Sequence, residues 1–319
     1  MHPSACDLLG ASYLRLTTAN IRVMEQSSDV TAVAHQARDD QNRIILAAIS
    51  SGFSDFMYNL LASIQATVGT TRHAVVIAED VSSYFQMEEK LPGQVLLATE
   101  DLLTFGMHNA REKLEGDKRG QSYGSTLYLL LMRARPKYLT RMHDTGVHML
   151  FVDADIAFFE NPYAWMDANL KQSYDLLASN DHANLLCAGF VYYANTSVIT
   201  RFLEVWDQLV AQGDGRNQAS FNKALKHPDV TGIQFYELPS SKFPHGRYYF
   251  KKHFAEMQAN PPIMVHANGM SGGDRKRNAL RRIGMWKPEQ FGQDFVEVHD
   301  GSADQGDDDD DDADDNTTD

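Results

Sequence analysis

The sequence predicts an α/β fold built on a mostly parallel sheet, and three observations carry that expectation. Short apolar runs at Arg43–Ile49 and Ala74–Ala78 have the look of strands buried on both faces. Between them Phe56, Leu60, Ile64 and Val68 recur at helical spacing. A third run, His148–Val152, is the most apolar of its region and ends directly in Asp153-Ala154-Asp155. Strand, helix and strand in that order form a βαβ unit, whose parallel pairing and right-handed crossover follow from the geometry of the connection.

The elements can be taken in chain order. Residues 1–40 mix polar and apolar types without a sustained period and read as a weakly ordered lead-in with room for one helix. Ser50, Ser51 and Gly52 end the first strand, and Ser54 or Asp55 is placed to cap the helix that follows. Val95–Ala98 supplies another short strand. Thr126–Met142 reads as a longer helix with Leu127, Leu130, Leu131 and Ala134 on one face, bent or restarted at Pro136. Beyond the acidic pair, Asn161-Pro162 turns the chain into a helix starting near Tyr163. Phe190–Tyr193 is a strand, Ser197–Gln212 a helix with Phe202, Val205, Trp206 and Leu209 inward, and Gly213–Arg216 a turn. Ile263–His266 is a last short strand, followed by a basic helix over Asp274–Ile283. One folded domain is therefore expected over residues 41–290, with residues 291–319 forming a disordered acidic tail.

Charge is concentrated in that tail. The formal net charge is −14, but residues 300–319 hold eleven Asp and no Lys or Arg, which leaves about −3 for the rest. A body so close to neutral gives no electrostatic footprint for nucleic acid. Cys6 and Cys187 lie far apart and show neither a disulfide framework nor zinc-ligand spacing. No run reaches the roughly 18 apolar residues of a membrane span, and the opening residues lack the pattern of a secretory signal. A soluble, cytoplasmic protein is the expectation, with the Golgi lumen as the alternative if an anchor has been removed. The sequons at Asn195 and Asn316 would matter only in a lumenal compartment.

Asp153 and Asp155 are the first candidates for chemistry. Side chains two residues apart in an extended chain point the same way, and an apolar strand delivers both to the carboxyl edge of the sheet, where open α/β sheets bind ligands. Two converging carboxylates repel unless a divalent cation lies between them. Such a cation would neutralise a departing diphosphate. The plain alternative is a solvated turn. A phosphohydrolase also places Asp-x-Asp after a strand, but there the pair usually precedes Gly or Thr in the first strand, and here Ile156 follows near mid-chain. His266 ends an apolar strand and suits either a metal ligand or a satisfied core histidine. Lys276 follows Gly272 and Gly273 at a helix start, which suits an anion site or an ordinary basic face.

Taken in order, the motifs resemble the nucleotide-diphospho-sugar transferase family that includes plant pectin xylosyltransferases and a cytoplasmic fucose-directed α-galactosyltransferase. The likeness runs from about Arg43 to Trp286. Its blocks are Arg135-Pro136, Gly146 through Asp155, Asn161-Pro162, Cys187 through Tyr193, Asn217 through Asn222, Phe243 through Gly246, and His266 through Trp286. The resemblance implies a GT-A fold with a Rossmann-like, mostly parallel central sheet flanked by helices. It implies transfer from a UDP-sugar, UDP-xylose or UDP-galactose, to a saccharide or glycoprotein hydroxyl, with configuration retained. It further implies Mn²⁺ or Mg²⁺ held by Asp153, Asp155 and His266. Lys276 would meet the diphosphate, Gly269 would allow close backbone approach, Arg135 would support the donor site and Asp181 would meet sugar hydroxyls.

One position departs from the family. An Asp-Gln pair is usual where this chain has Asn217-Gln218, and that Asp lies near the reacting carbon. The amide removes a negative charge that could stabilise an oxocarbenium-like transition state. Asp181 or Gln218 could take over, the departing phosphate could assist on the front face, or turnover could be slow. A nucleotide-sugar-binding pseudoenzyme is the alternative from outside catalysis.

Overall fold

The computed structural model describes residues 29–98, 126–181, 185–213 and 217–291. The lead-in before Asp29, Cys6, the turn at 214–216 and the tail beyond Phe291 lie outside the described residues. So do the side chains of Leu127 and Leu130.

The strands of the main sheet are β1 (Arg43–Ile49), β2 (Ala74–Ala78), β3 (Val95–Leu97), β4 (His148–Val152), β6 (Leu176–Asn180), β7 (Leu186–Tyr193) and β8 (Phe235–Leu238). Their order across the sheet is β3-β2-β1-β4-β7-β6-β8. Strands β1 to β4 pair in parallel. β7 alone runs against its neighbours β4 and β6, and β8 returns to parallel pairing with β6. The sheet is thus mostly parallel, as the sequence predicts. A separate antiparallel pair joins β5 (Ile156–Phe158) to β9 (Met264–His266).

Helices cover both faces. On one side α1 (Val30–Ala37), α4 (Thr126–His143), α6 (Ser197–Gln212) and α7 (Asn217–Leu225) close a core around Leu46, Phe151 and Val191. On the other, α2 (Ser54–Val68), α3 (Val81–Lys90) and α5 (Pro162–Asn169) cover Ile45, Val76 and Leu150. Alternate residues of β1 thereby enter opposite cores, the period-two rule for a strand buried on both faces. A third, smaller cluster around Phe56, Val265 and Leu280 holds α8 (Phe254–Ala259) and α9 (Gly273–Arg282) beside the β5–β9 pair.

Two local expectations are corrected. Neither Ser54 nor Asp55 caps α2: a 3₁₀ turn over Ser51–Phe53 leads into the helix, no side chain caps it, and Asp55 is buried against Arg277. α4 does not restart at Pro136 but runs through it to His143. Elsewhere the punctuation holds: Asn161 caps α5 by accepting from the Tyr163 and Ala164 amides, with Pro162 at the first position where its missing N–H costs nothing. The amide of Asn195, the first sequon, donates to the His143 carbonyl at 2.6 Å.

The join between core and candidate site is Trp206. Its ring is fully buried between Phe202 and Phe221, and its Nε1–H donates to the Asn217 carbonyl at 3.0 Å, fixing the start of α7. Trp206→Phe removes that hydrogen bond, so a loss of about 0.5–1.5 kcal/mol is expected from it. Urea unfolding measures it.

Candidate active site

The acidic pair converges, but by a turn rather than by strand alternation. β4 ends at Val152, the Ile156 amide closes back onto the Asp153 carbonyl at 3.2 Å, and the chain re-emerges as β5. Asp153 is pinned to β7 because its amide donates to the Gly189 carbonyl at 2.7 Å. His266 then arrives through pairing, since it stands opposite Ile156 in the β5–β9 register. Two residues from a turn and one from a strand 111 positions later meet in this way.

The three side chains form a compact donor set. His266 Nε2 lies 3.1 Å from Asp155 Oδ1 and 3.7 Å from Asp153 Oδ2, and one ligand atom from each lies within 4.8 Å of the others. Two carboxylates and an imidazole suit a hard or borderline divalent cation. Gly189 supplies the room. A Cβ there would press into the Asp153 carboxylate and stand 2.9 Å from His266 Cε1. The residues present therefore fit the cation that the resemblance implies.

Each ligand has a partner behind it. Arg135, 7% exposed, donates from NH2 to Asp153 Oδ1 at 2.8 Å and lies over the Phe151 ring. Lys276 Nζ donates to Asp155 Oδ2 at 2.7 Å. His266 Nδ1 faces Cys187 Sγ at 3.6 Å. Burial pushes the Asp155 carboxyl up, but the charges of Lys276 and His266 outweigh it and hold it well below the usual range. Burial lowers His266, yet Asp155 and Cys187 keep it well above the ordinary value for a histidine. The site is therefore a set of compensated charges in a low-dielectric edge, where pairing weighs more than in water.

A second cluster adjoins the first. Asp181 follows β6, and its Oδ2 accepts from Gln218 Nε2 at 2.8 Å while Oδ1 accepts from Asn268 Nδ2 at 3.3 Å. His245 Nδ1 is 3.9 Å from the same carboxylate. Asn268, two residues beyond His266, also accepts the Gly246 amide through Oδ1 at 2.8 Å. Gln218 is held because Asn222, one turn along α7, brackets the Leu186 backbone with both ends of its amide. Asn217 is 7% exposed and its Nδ2 has no partner among the described residues. Gly269 has φ +67° with open space around a would-be Cβ. That left-handed backbone conformation favours glycine.

Sequence reasoning missed several contributors. Asn222 and Asn268 carry no motif of their own, and Gly189 reads as one more small residue in a strand. Glu79, at the end of β2, is pushed up to about 7 by burial, against the lowering charge of Arg135 and with Asp80 and Asp153 adding to the rise.

Comparison with known proteins belongs here. The profile of nucleotide-diphospho-sugar transferases matches residues 69–280. The chain belongs to that family. Membership places it among glycosyltransferases, and its central sheet is mostly parallel with the acidic pair at its edge. A UDP-D-xylose:L-fucose α-1,3-D-xylosyltransferase of Arabidopsis thaliana is 24% identical over 267 residues, covering 76% of this chain and 66% of the relative. A UDP-galactose:fucoside α-3-galactosyltransferase of Dictyostelium discoideum is 21% identical over 280 residues, covering 77% of this chain and 43% of the relative. The chain thus spans about two thirds of the plant protein and less than half of the other. Among solved structures, the galactosyltransferase LgtC with donor and acceptor analogues superposes with a TM-score of 0.47 at 12% identity, over 80% of this chain and 97% of that one. No helix among the described residues is long and apolar enough to cross a membrane.

Two predictions follow from the charges and the space. Gly189→Ala is expected to abolish Mn²⁺ binding, read as free Mn²⁺ by electron paramagnetic resonance, with the far-ultraviolet circular dichroism unchanged. Glu79 binds its proton more tightly folded than unfolded, so its contribution to stability falls as pH rises from about 4.5 to about 7. Glu79→Gln is therefore expected to be more resistant to urea than the parent at about pH 8, the advantage shrinking as the pH approaches 4.5.

Proposed function

We propose that this chain transfers a sugar from a UDP-sugar, UDP-xylose or UDP-galactose, to a hydroxyl of a saccharide or glycoprotein, with retention of configuration. One observation carries the reading: Asp153, Asp155 and His266 converge at the carboxyl edge of a parallel sheet, backed by Lys276. The names of the relatives support the choice of donors and suggest a fucose-containing acceptor. Residues 41–290 are the catalytic domain in this reading.

Asp153, Asp155 and His266 hold Mn²⁺ or Mg²⁺, which supplies charge neutralisation to the diphosphate of the bound donor. Lys276 leaves Asp155 for a diphosphate oxygen, and Arg135 keeps Asp153 oriented. Asp181 accepts hydroxyl hydrogens of the donor sugar, held in place by Gln218 and Asn268. Since both its oxygens already have partners, Asp181 is better suited to positioning than to taking a proton. Asn217 is neutral and cannot take one either. These two facts favour a front-face course. The bond from the sugar carbon to the phosphate oxygen breaks, the acceptor oxygen bonds to that carbon from the same side, and its proton passes to the departing phosphate. Water excluded by the buried edge strengthens each of these contacts.

The test is a screen of UDP-sugars with Mn²⁺, reading free UDP, with Asp155→Ala as control. UDP release that needs Mn²⁺ and falls by at least about 100-fold in the variant is expected, the scale of a lost electrostatic group. Activity unchanged by chelation or by the substitution removes the proposal. Metal-dependent UDP affinity with no sugar released would make the chain a binding protein instead.

A further inference from the structure

Helix α9 carries Lys276, and few of its side chains are buried. Of its ten residues only Arg277 and Leu280 are buried, and Arg275, Asn278, Arg281 and Arg282 are exposed. Leu280 is its one buried apolar side chain, helped at the far end by Arg282 over the Phe254 ring at 4.0 Å, and neither contact lies at the turn that carries Lys276. The other buried residue is a cation, which is costly in an apolar setting unless it is paired. Arg277 is paired twice. Its Nε donates to Asp55 Oδ2 at 2.5 Å and its NH1 to Asp274 Oδ1 at 2.8 Å, and the guanidinium lies 5.1 Å from the centre of the Phe56 ring. Arg277 and Asp55 are 3% and 5% exposed. Asp55 belongs to α2, an element packed against the central sheet, so the pair ties a lightly held helix to the rigid body of the fold.

Successive residues on a helix are turned by about 100°. Fixing the direction of Arg277 therefore fixes the direction of Lys276, its neighbour in sequence. A planar guanidinium held at two edges defines orientation more closely than an ammonium could.

We infer that Arg277, gripped by Asp55, is a positioning residue that aims Lys276 at the cation and diphosphate site. The inference rests on the role given to Lys276 in the proposed function. It explains why a buried ion pair stands where a second leucine would anchor the helix as well: an apolar contact can slide, whereas the charge pair has one geometry.

The consequence has opposite signs for two ligands. Lys276 on Asp155 competes with a bare cation, but it assists a cation that arrives with a diphosphate. In Arg277→Met, Mn²⁺ alone is expected to bind several-fold more tightly, read as free Mn²⁺ by electron paramagnetic resonance. Mn²⁺ with UDP is expected to bind about tenfold more weakly by calorimetry, the lower end of what lost outer partners of a metal site cost. A variant that is merely less stable moves both affinities the same way, and that result, or no change in either, overturns the inference. Asp55→Asn, which keeps shape but loses charge, carries the same test if Arg277→Met does not fold. In the double variant with Lys276→Met, Arg277→Met is expected to add nothing, whereas additive losses overturn the inference. Lys276→Met binding Mn²⁺ and UDP as well as the parent overturns the proposed role of Lys276, and the inference with it.

Discussion

Two carboxylates held side by side at the edge of an apolar sheet need positive charge around them, and much of the surrounding architecture supplies it. Arg135 from α4 meets Asp153, Lys276 from α9 meets Asp155, and His266 from β9 lies between the two. Each donor comes from a different element. Compensation of this one pair thereby ties together parts of the chain that are far apart in sequence.

The same requirement explains the small β5–β9 sheet. A histidine buried at 3% exposure needs its backbone groups paired. Antiparallel pairing with β5 sets the register that puts His266 opposite the residue after Asp155, while the His266 amide itself donates to the Pro244 carbonyl at 3.2 Å. The Asp181 cluster is built on the continuation of that strand, because Asn268 reaches it from two residues further on. His266 and the Asp181 cluster thus share a single backbone path.

Much of this was legible in the residues. β1, β2 and β4 are apolar on both faces, and α6 has a clear inward stripe, so the parallel half of the sheet and its covering helices could be read directly. β6, β8 and α7 could not. β6 ends in Ser179-Asn180, β8 has an exposed Phe235 and Glu237, and α7 opens as Asn-Gln-Ala-Ser, so none shows a period that stands out from a loop. Their structure comes from partners far along the chain. Asp153, Asp155, His266 and Lys276 were legible from motif order and do come together. The convergence of the aspartates was right for another reason, a turn in place of strand alternation. Asp55 shows the limit most plainly: an acid beside a helix start reads as a cap, and only the fold reveals the arginine 222 positions away.

The reversed strand β7 has one more consequence. Because it runs against β4, its first residues, not its last, stand at the edge where the acids lie, and Cys187 and Gly189 stand against His266 and Asp153 while Ala188, Val191 and Tyr193 fill the core. Eight consecutive residues border the candidate site at one end and the core along the rest. A one-residue slip there would invert the core and intrude on the ligand cavity together.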